Sequence, residues 1–203
     1  MFTLLIASII AYLIGSLSSA IIVARCLNLP DPRLQGSRNP GATNMLRIGG
    51  KRAAAITLIG DAAKGFIPVL FTKIVLLDPT IVACVAFAAF LGHLFPLYFR
   101  FQGGKGVATL LGCLLALAWP VALAWMLAWL LVAAIFRYSS LAALIASVLA
   151  PVFIWLDTGS LPYLTAVTVM VVMLLIRHHE NIQRLLAGTE KQIGKRKVSN
   201  QGC

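Results

Sequence analysis

The sequence predicts an all-α integral membrane protein of about seven transmembrane helices, some short or broken, and three observations carry that expectation. Of 203 residues, 60% are hydrophobic and 11% charged, with a mean hydropathy of +0.93, well beyond what a soluble domain of this length needs. Apolar runs recur along the chain, several near the roughly 20 residues that cross a bilayer. The 17 lysines and arginines gather between alternate runs, as positive-inside bias requires.

The first run, 2–24, has no basic residue before it and Arg25 after it. That makes it an anchor with the N-terminus outside rather than a cleaved signal. A polar stretch follows with Arg25, Arg33, Arg38, Arg47, Lys51 and Arg52. Runs 53–77 and 80–99 flank the Asp78-Pro79 turn. The run from 107 to 136 is too long for one crossing, and Trp119-Pro120 interrupts it; proline removes a helix donor, so two short helices, 107–118 and 120–136, are expected. Runs 141–156 and 161–176 complete seven. With the N-terminus outside, Arg100, Lys105, Arg137 and the basic residues from Arg177 onward join the first loop on the inner face, and only Lys64 and Lys73 do not. The C-terminus is then cytoplasmic. Residues 1–190 read as one polytopic domain and 191–203 as a basic cytoplasmic tail attracted to anionic headgroups. Nucleic acid is not an expected partner of the +11 charge; the lipid bilayer is. Cys26, Cys84, Cys113 and Cys203 form no CxxC pair and have no histidine at ligand spacing, so neither a metal nor a disulfide framework is expected, nor any cofactor.

This topology brings the polar stretches to one face. GSRNPGATN, residues 36–44, is a turn-forming loop whose Pro fixes φ and whose Gly allows close approach, surrounded by donors on Ser37, Arg38, Asn39, Thr43, Asn44 and Arg47. It suits a polyanionic, hydroxyl-bearing ligand, or it caps itself. Arg47 has the planar fork that grips phosphate. Gly103, Gly104, Lys105 and Gly106 precede a helical run and resemble a phosphate cradle; the alternative is a flexible interfacial turn. Asp61 and Lys64 share a helix face at i and i+3, about 12 Å inside the span, as a neutralising pair or a cavity wall. His93 sits in a small-residue span that favours close packing. His178 and Asn181 share one helix face, and Glu180 is placed to pair with Arg184 at i+4.

Together these residues resemble one family, the bacterial membrane glycerol-3-phosphate acyltransferases that use acyl phosphate (the PlsY family). The resemblance runs from Gly15-Ser16 to Glu190. It rests on Gly36-Ser37-x-Asn39-Pro40-Gly41-Ala42-Thr43-Asn44 with Arg47, on Gly60-Asp61-x-x-Lys64-Gly65, on Gly92-His93-x-Phe95-Pro96 leading to Gly103-Gly104-Lys105-Gly106-Val107-Ala108-Thr109, and on Arg177-His178-x-Glu180-Asn181-Ile182 with Gly188 and Glu190. No polar position departs from the pattern. The resemblance implies transfer of a fatty acyl group from acyl phosphate to the 1-hydroxyl of sn-glycerol 3-phosphate, giving 1-acylglycerol 3-phosphate and phosphate. This is the first committed step of phospholipid synthesis, at the cytoplasmic face of a bacterial inner membrane. A labile acyl phosphate makes an enzyme that synthesises it a plausible partner.

No covalent acyl-enzyme constellation is visible at short range, so positioning and oxyanion stabilisation are expected to supply most of the rate. The expected catalytic residues are Ser37, Arg47, His178 and Asn181. Substrate and phosphate binding falls to Asn39, Thr43, Asn44, Lys64, His93, Gly103, Gly104, Lys105 and Gly106, with Asp61 and Glu180 structural. Ser37 and Asn181 would donate to the carbonyl or orient the hydroxyl. His178 or a substrate phosphate would take the proton. A transporter of phosphorylated metabolites would place its site near the midplane with inverted repeats, of which the sequence gives no clear sign. A non-catalytic lipid-binding protein would not need so many kinds of polar side chain on one face.

Overall fold

The computed structural model describes residues 1–194, and every regular element among them is helical. Of the expected tail, residues 195–203, with Lys195, Arg196 and Lys197, lie outside the described residues. The order is α1 (Phe2–Gly15), α2 (Ser19–Cys26), α3 (Ala42–Leu76), α4 (Pro79–Leu94), a 3-10 turn (Leu97–Phe99), α5 (Val107–Leu117), α6 (Trp119–Phe136), α7 (Ser139–Thr158), α8 (Leu161–Arg177) and α9 (His179–Leu186). Five segments are long and apolar enough to cross a membrane: Phe2–Cys26, α3, Pro79–Phe99, α6 and α7. α8 makes a sixth when joined to α9 across a 58° bend, and α5 is apolar but only 11 residues long. The seven expected runs are all helices, five or six of them of spanning length.

Three breaks shape the bundle. The first run bends at Ser16, whose N–H and hydroxyl both donate to the Tyr12 carbonyl at 2.8 Å. α3 starts at Ala42 rather than at 53, because two helical turns precede Gly50, where φ 75° and ψ −169° make a sharp kink before the long span continues. The turns before that kink, 42–49, carry Thr43, Asn44 and Arg47. α5 ends at Trp119-Pro120 as the sequence predicts, with Ala118 extended and Pro120 in the first turn of α6. Lys73 explains how the short helix can stop there: its Nζ donates to the Ala116 and Leu117 carbonyls at 3.1 and 2.7 Å, satisfying the unpaired acceptors of a helix end.

Small residues let the helices touch. A Cβ on Gly112 of α5 would lie 2.0 Å from the Ala62 carbonyl oxygen of α3, and one on Gly92 of α4 would lie 2.3 Å from that of Tyr12 in α1. α4 is the most buried of the five spans and α6 the least. Ile59, Phe71, Leu127 and Ile135 are exposed apolar side chains on α3 and α6, as expected of a bilayer-facing surface. At one end the α3, α5 and α7 starts meet the α4, α6 and α8 ends. The Thr43 and Ser139 hydroxyls lie 3.3 Å apart, and Arg177 Nη2 donates to the Gly103 carbonyl at 2.9 Å.

Candidate active site

Three uncapped helix starts face one cavity of about 520 Å³. α3, α5 and α7 each begin without a side-chain cap, which leaves first-turn amides free to bond an outside acceptor. Ala42 and Thr43 of α3, Gly106, Val107 and Ala108 at the start of α5, and Ser139 and Ser140 of α7 all line the cavity. Each helix start carries roughly half a positive charge, so the cavity favours an anion before any side chain is counted.

Side chains add to that field. Arg47, Lys105 and Arg184 line the same space. Lys105 Nζ donates to Asn181 Oδ1, and Asn181 Nδ2 donates to Glu190 Oε1 at 2.7 Å. Glu190 also accepts from the Ser140 hydroxyl at 2.8 Å and from Arg184 Nε at 2.7 Å. Burial would raise the Glu190 carboxyl, but the hydrogen bonds from Arg184, Asn181 and Ser140 outweigh it and hold the group below its ordinary range. Burial, reinforced by Arg184, pulls the Lys105 ammonium down to about 8. His178 is buried, with Nδ1 2.8 Å from the Leu174 carbonyl oxygen. A carbonyl only accepts, so Nδ1 carries the proton and Nε2 is the basic nitrogen of the neutral ring. Arg47 makes no side-chain hydrogen bond among the described residues, and the Ser37 hydroxyl is likewise free there.

The residues singled out in the sequence divide into three groups. Ser37, Asn39, Thr43, Arg47, His93, Lys105, Gly106, His178 and Asn181 line the cavity together. Asn44 also borders it, but its amide staples the loop: Nδ2 donates to the Pro32 and Gln35 carbonyls at 2.9 and 3.0 Å, and Oδ1 accepts from Ser37 N–H at 2.8 Å. Both Nδ2 hydrogens are thereby committed to backbone, and the side chain shapes the loop at the cavity's edge. Lys64, Gly103, Gly104 and Glu180 do not line the cavity. Lys64 is buried 2.9 Å from Asp61 Oδ1 and donates to the Leu17 carbonyl at 2.8 Å, so the two form a neutralising pair, of which Asp61 alone borders the cavity. Asp61 also lies 3.6 Å from His93 Nδ1.

Gly103 and Gly104 are small for a different reason from a phosphate cradle. A Cβ on Gly103 would fall 2.2 Å from the His93 carbonyl oxygen, and one on Gly104 would fall 2.3 Å from His93 Nε2. The Gly104 N–H already donates to the His93 carbonyl at 3.2 Å, and Arg177 grips both glycine carbonyls. The cradle contracts to Lys105, Gly106 and the first turn of α5. Glu180 lies 3.5 Å from Arg184 Nη1 on an exposed surface, while the closer partner of Arg184 is Glu190.

Sequence reasoning gave no role in the site to Ser139, Ser140 or Arg184, and used Glu190 only to mark the end of a motif. The first two are short hydroxyls at the head of a span, and their signal lies in topology: α7 starts on the same face as α3 and α5. Lys191, expected in a basic tail drawn to anionic headgroups, borders the cavity. The backbone there folds back, with Ile193 N–H donating to the Arg137 carbonyl at 2.7 Å.

The cavity changes character away from this charge. Leu58 of α3, Leu111 of α5 and Trp125, Met126, Trp129 and Leu130 of α6 form an apolar wall continuous with the polar end.

The chain matches the family described as glycerol-3-phosphate acyltransferase over residues 5–188. It is 57% identical over 188 residues to the glycerol-3-phosphate acyltransferase of Methylococcus capsulatus, covering 93% of this chain and 95% of that one. The Burkholderia lata protein of the same name is 55% identical over 196 residues, covering 96% and 92%. Among solved structures, PlsY, described as an integral membrane glycerol 3-phosphate acyltransferase, matches in its glycerol 3-phosphate form with a TM-score of 0.90 at 38% identity, over 95% of this chain and 96% of that one. Its lysophosphatidic acid form matches with a TM-score of 0.88 at 37% identity, with the same coverage. The helical fold is thus shared with solved acyltransferase structures along nearly its whole length, and the chain belongs to the glycerol-3-phosphate acyltransferase family.

Proposed function

We propose that the enzyme transfers a fatty acyl group from acyl phosphate to the 1-hydroxyl of sn-glycerol 3-phosphate at the cytoplasmic face of a bacterial inner membrane. The observation that carries this reading is the cavity itself, whose anion-favouring end and apolar wall form one space. Glycerol 3-phosphate needs only the first. An acyl phosphate needs both. The cytoplasmic placement rests on the basic residues that surround the polar end, and on donors and acceptors that the cytoplasm supplies.

The reaction needs no acyl-enzyme. The glycerol oxygen attacks the acyl carbonyl carbon, the bond from that carbon to the bridging phosphate oxygen breaks, and the electron pair leaves with inorganic phosphate. The hydroxyl proton passes to His178 Nε2 or to an oxygen of the departing phosphate. Lys105 with the α5 start holds one phosphate and Arg47 with the α3 start the other. Ser37, its hydroxyl free of protein partners, donates to the oxygen that becomes negative. Asn181 has its amide committed to Lys105 and Glu190 and acts by fixing the ammonium. Asn39, Thr43 and His93 border the substrates.

Purified protein offered acyl phosphate and glycerol 3-phosphate should release phosphate and form 1-acylglycerol 3-phosphate only when both are present. Activity with an acyl thioester and none with acyl phosphate would overturn the donor. Phosphate release without the acceptor would mark a hydrolase.

A further inference from the structure

Behind the 36–41 loop, away from the site, a second cavity of about 820 Å³ opens between the end of α2, the turn after α4 and the end of α8. Arg25, Arg33, Arg38, Arg100 and Arg177 line it against a single acid, Asp31. Asp31 is taken by Arg33, whose Nη2 donates to Oδ2 at 2.6 Å and whose Nε lies 3.0 Å from Oδ1. Arg177 directs Nε and Nη2 to the Gly104 and Gly103 carbonyls, and Arg25 stacks 5.9 Å from the centre of the Phe99 ring. The Arg38 and Arg100 side chains meet no acceptor among the described residues. Both protrude from left-handed backbone, at φ 57° and 55°. The cavity therefore holds several positive charges with one matched negative charge.

Its rim is not that of a site for a small soluble anion. Leu34, Tyr98 and Phe101 are all more than half exposed around it, and Leu97 of the 3-10 turn and Ile22 of α2 add further exposed apolar surface. A charged pocket with an apolar and aromatic rim at the end of membrane-spanning helices matches a lipid headgroup whose chains lie against those helices. Arg38 lines both cavities, and its neighbours Ser37 and Asn39 face the first. We propose that this second cavity binds the phosphate of an anionic phospholipid of the surrounding bilayer, and that the bound lipid steadies the 36–41 loop through Arg38.

The test measures binding, so it stands whether or not the acyl donor above is correct. Purified protein in neutral detergent is titrated with phosphatidylglycerol and the bound lipid counted by native mass spectrometry. The doubly substituted Arg25→Gln, Arg100→Gln protein is compared with Lys51→Gln, Arg52→Gln, which removes the same charge from an exposed part of α3. The first should lose affinity about tenfold or more while the second stays near the parent. Equal affinities in the two variants would reduce the effect to unspecific attraction and overturn the proposal. So would displacement of the lipid by millimolar inorganic phosphate, which would make free phosphate the occupant. Amide hydrogen exchange at residues 36–41 should slow on adding phosphatidylglycerol to the parent protein, and unchanged exchange would overturn the loop contact. Arg100→Gln alone, at an exposed turn, provides the same comparison if the double variant unfolds.

Discussion

Arg47 separates charge from geometry. Lysine keeps the charge but loses the planar fork, so Arg47→Lys should lose about 2 kcal/mol of transition-state stabilisation, roughly thirtyfold in kcat/KM, with an unchanged thermal midpoint. Parental activity would remove its bidentate role. Lys105 supplies a pH dependence of definite sign. Its ammonium is displaced down to about 8, so the charged form is full below that pH and lost above it. Activity should fall as pH rises through about 8, and Lys105→Arg, if active, should lack that limb; a flat profile in the parent would show that the charge is not needed. Glu190 accepts from three side chains, and Glu190→Gln removes the charge that matches Arg184. It should lower kcat at least tenfold with a smaller change in KM, since the carboxylate positions Asn181 and Lys105 from behind. A normal kcat would make the network decorative. The convergence of Ser37, Arg47, Lys105, His178 and Asn181 on one cavity was legible because polar residues are conspicuous in an oily chain. Lys64 was misplaced because helical spacing aligns it with Asp61 equally well whether the pair faces a ligand or each other, and only the Leu17 carbonyl and the 2.9 Å contact decide. Asn44 both borders the cavity and staples the loop, because a loop that binds and a loop that caps itself use the same residues.

At the scale of elements, apolar length and one proline located all seven runs, while the kink at Gly50 was invisible as such. A glycine pair that opens a helix and a glycine that bends one are the same letters. The glycines of 103–106 show the same ambiguity. Their packing against His93 and Phe90 predicts that Gly104→Ala lowers the thermal midpoint together with activity, because the added methyl must displace the His93 ring that Asp61 holds from the other side. A variant of parental stability with only a raised KM would restore the larger phosphate cradle.

For the whole molecule, the convergence of polar segments on one end was legible from charge, and the side-chain bonds that tie those ends together follow it. Orientation is tested by labelling. A cysteine placed at Gln35 or Gln102, both exposed, in a cysteine-free background should resist an impermeant thiol reagent in intact cells and react after permeabilisation. Labelling in intact cells would turn the molecule over. The three uncapped helix starts have a consequence for inheritance as well as for chemistry. A field generated by main-chain amides is written into no particular codon. Replacement of a side chain leaves the amide in place, except by proline, and no change of pH titrates it. The main-chain share of the anion-attracting field is thereby buffered against point mutation, so a substitution at Arg47 or Lys105 removes a side chain's contribution while the helix starts go on drawing phosphate to the same end.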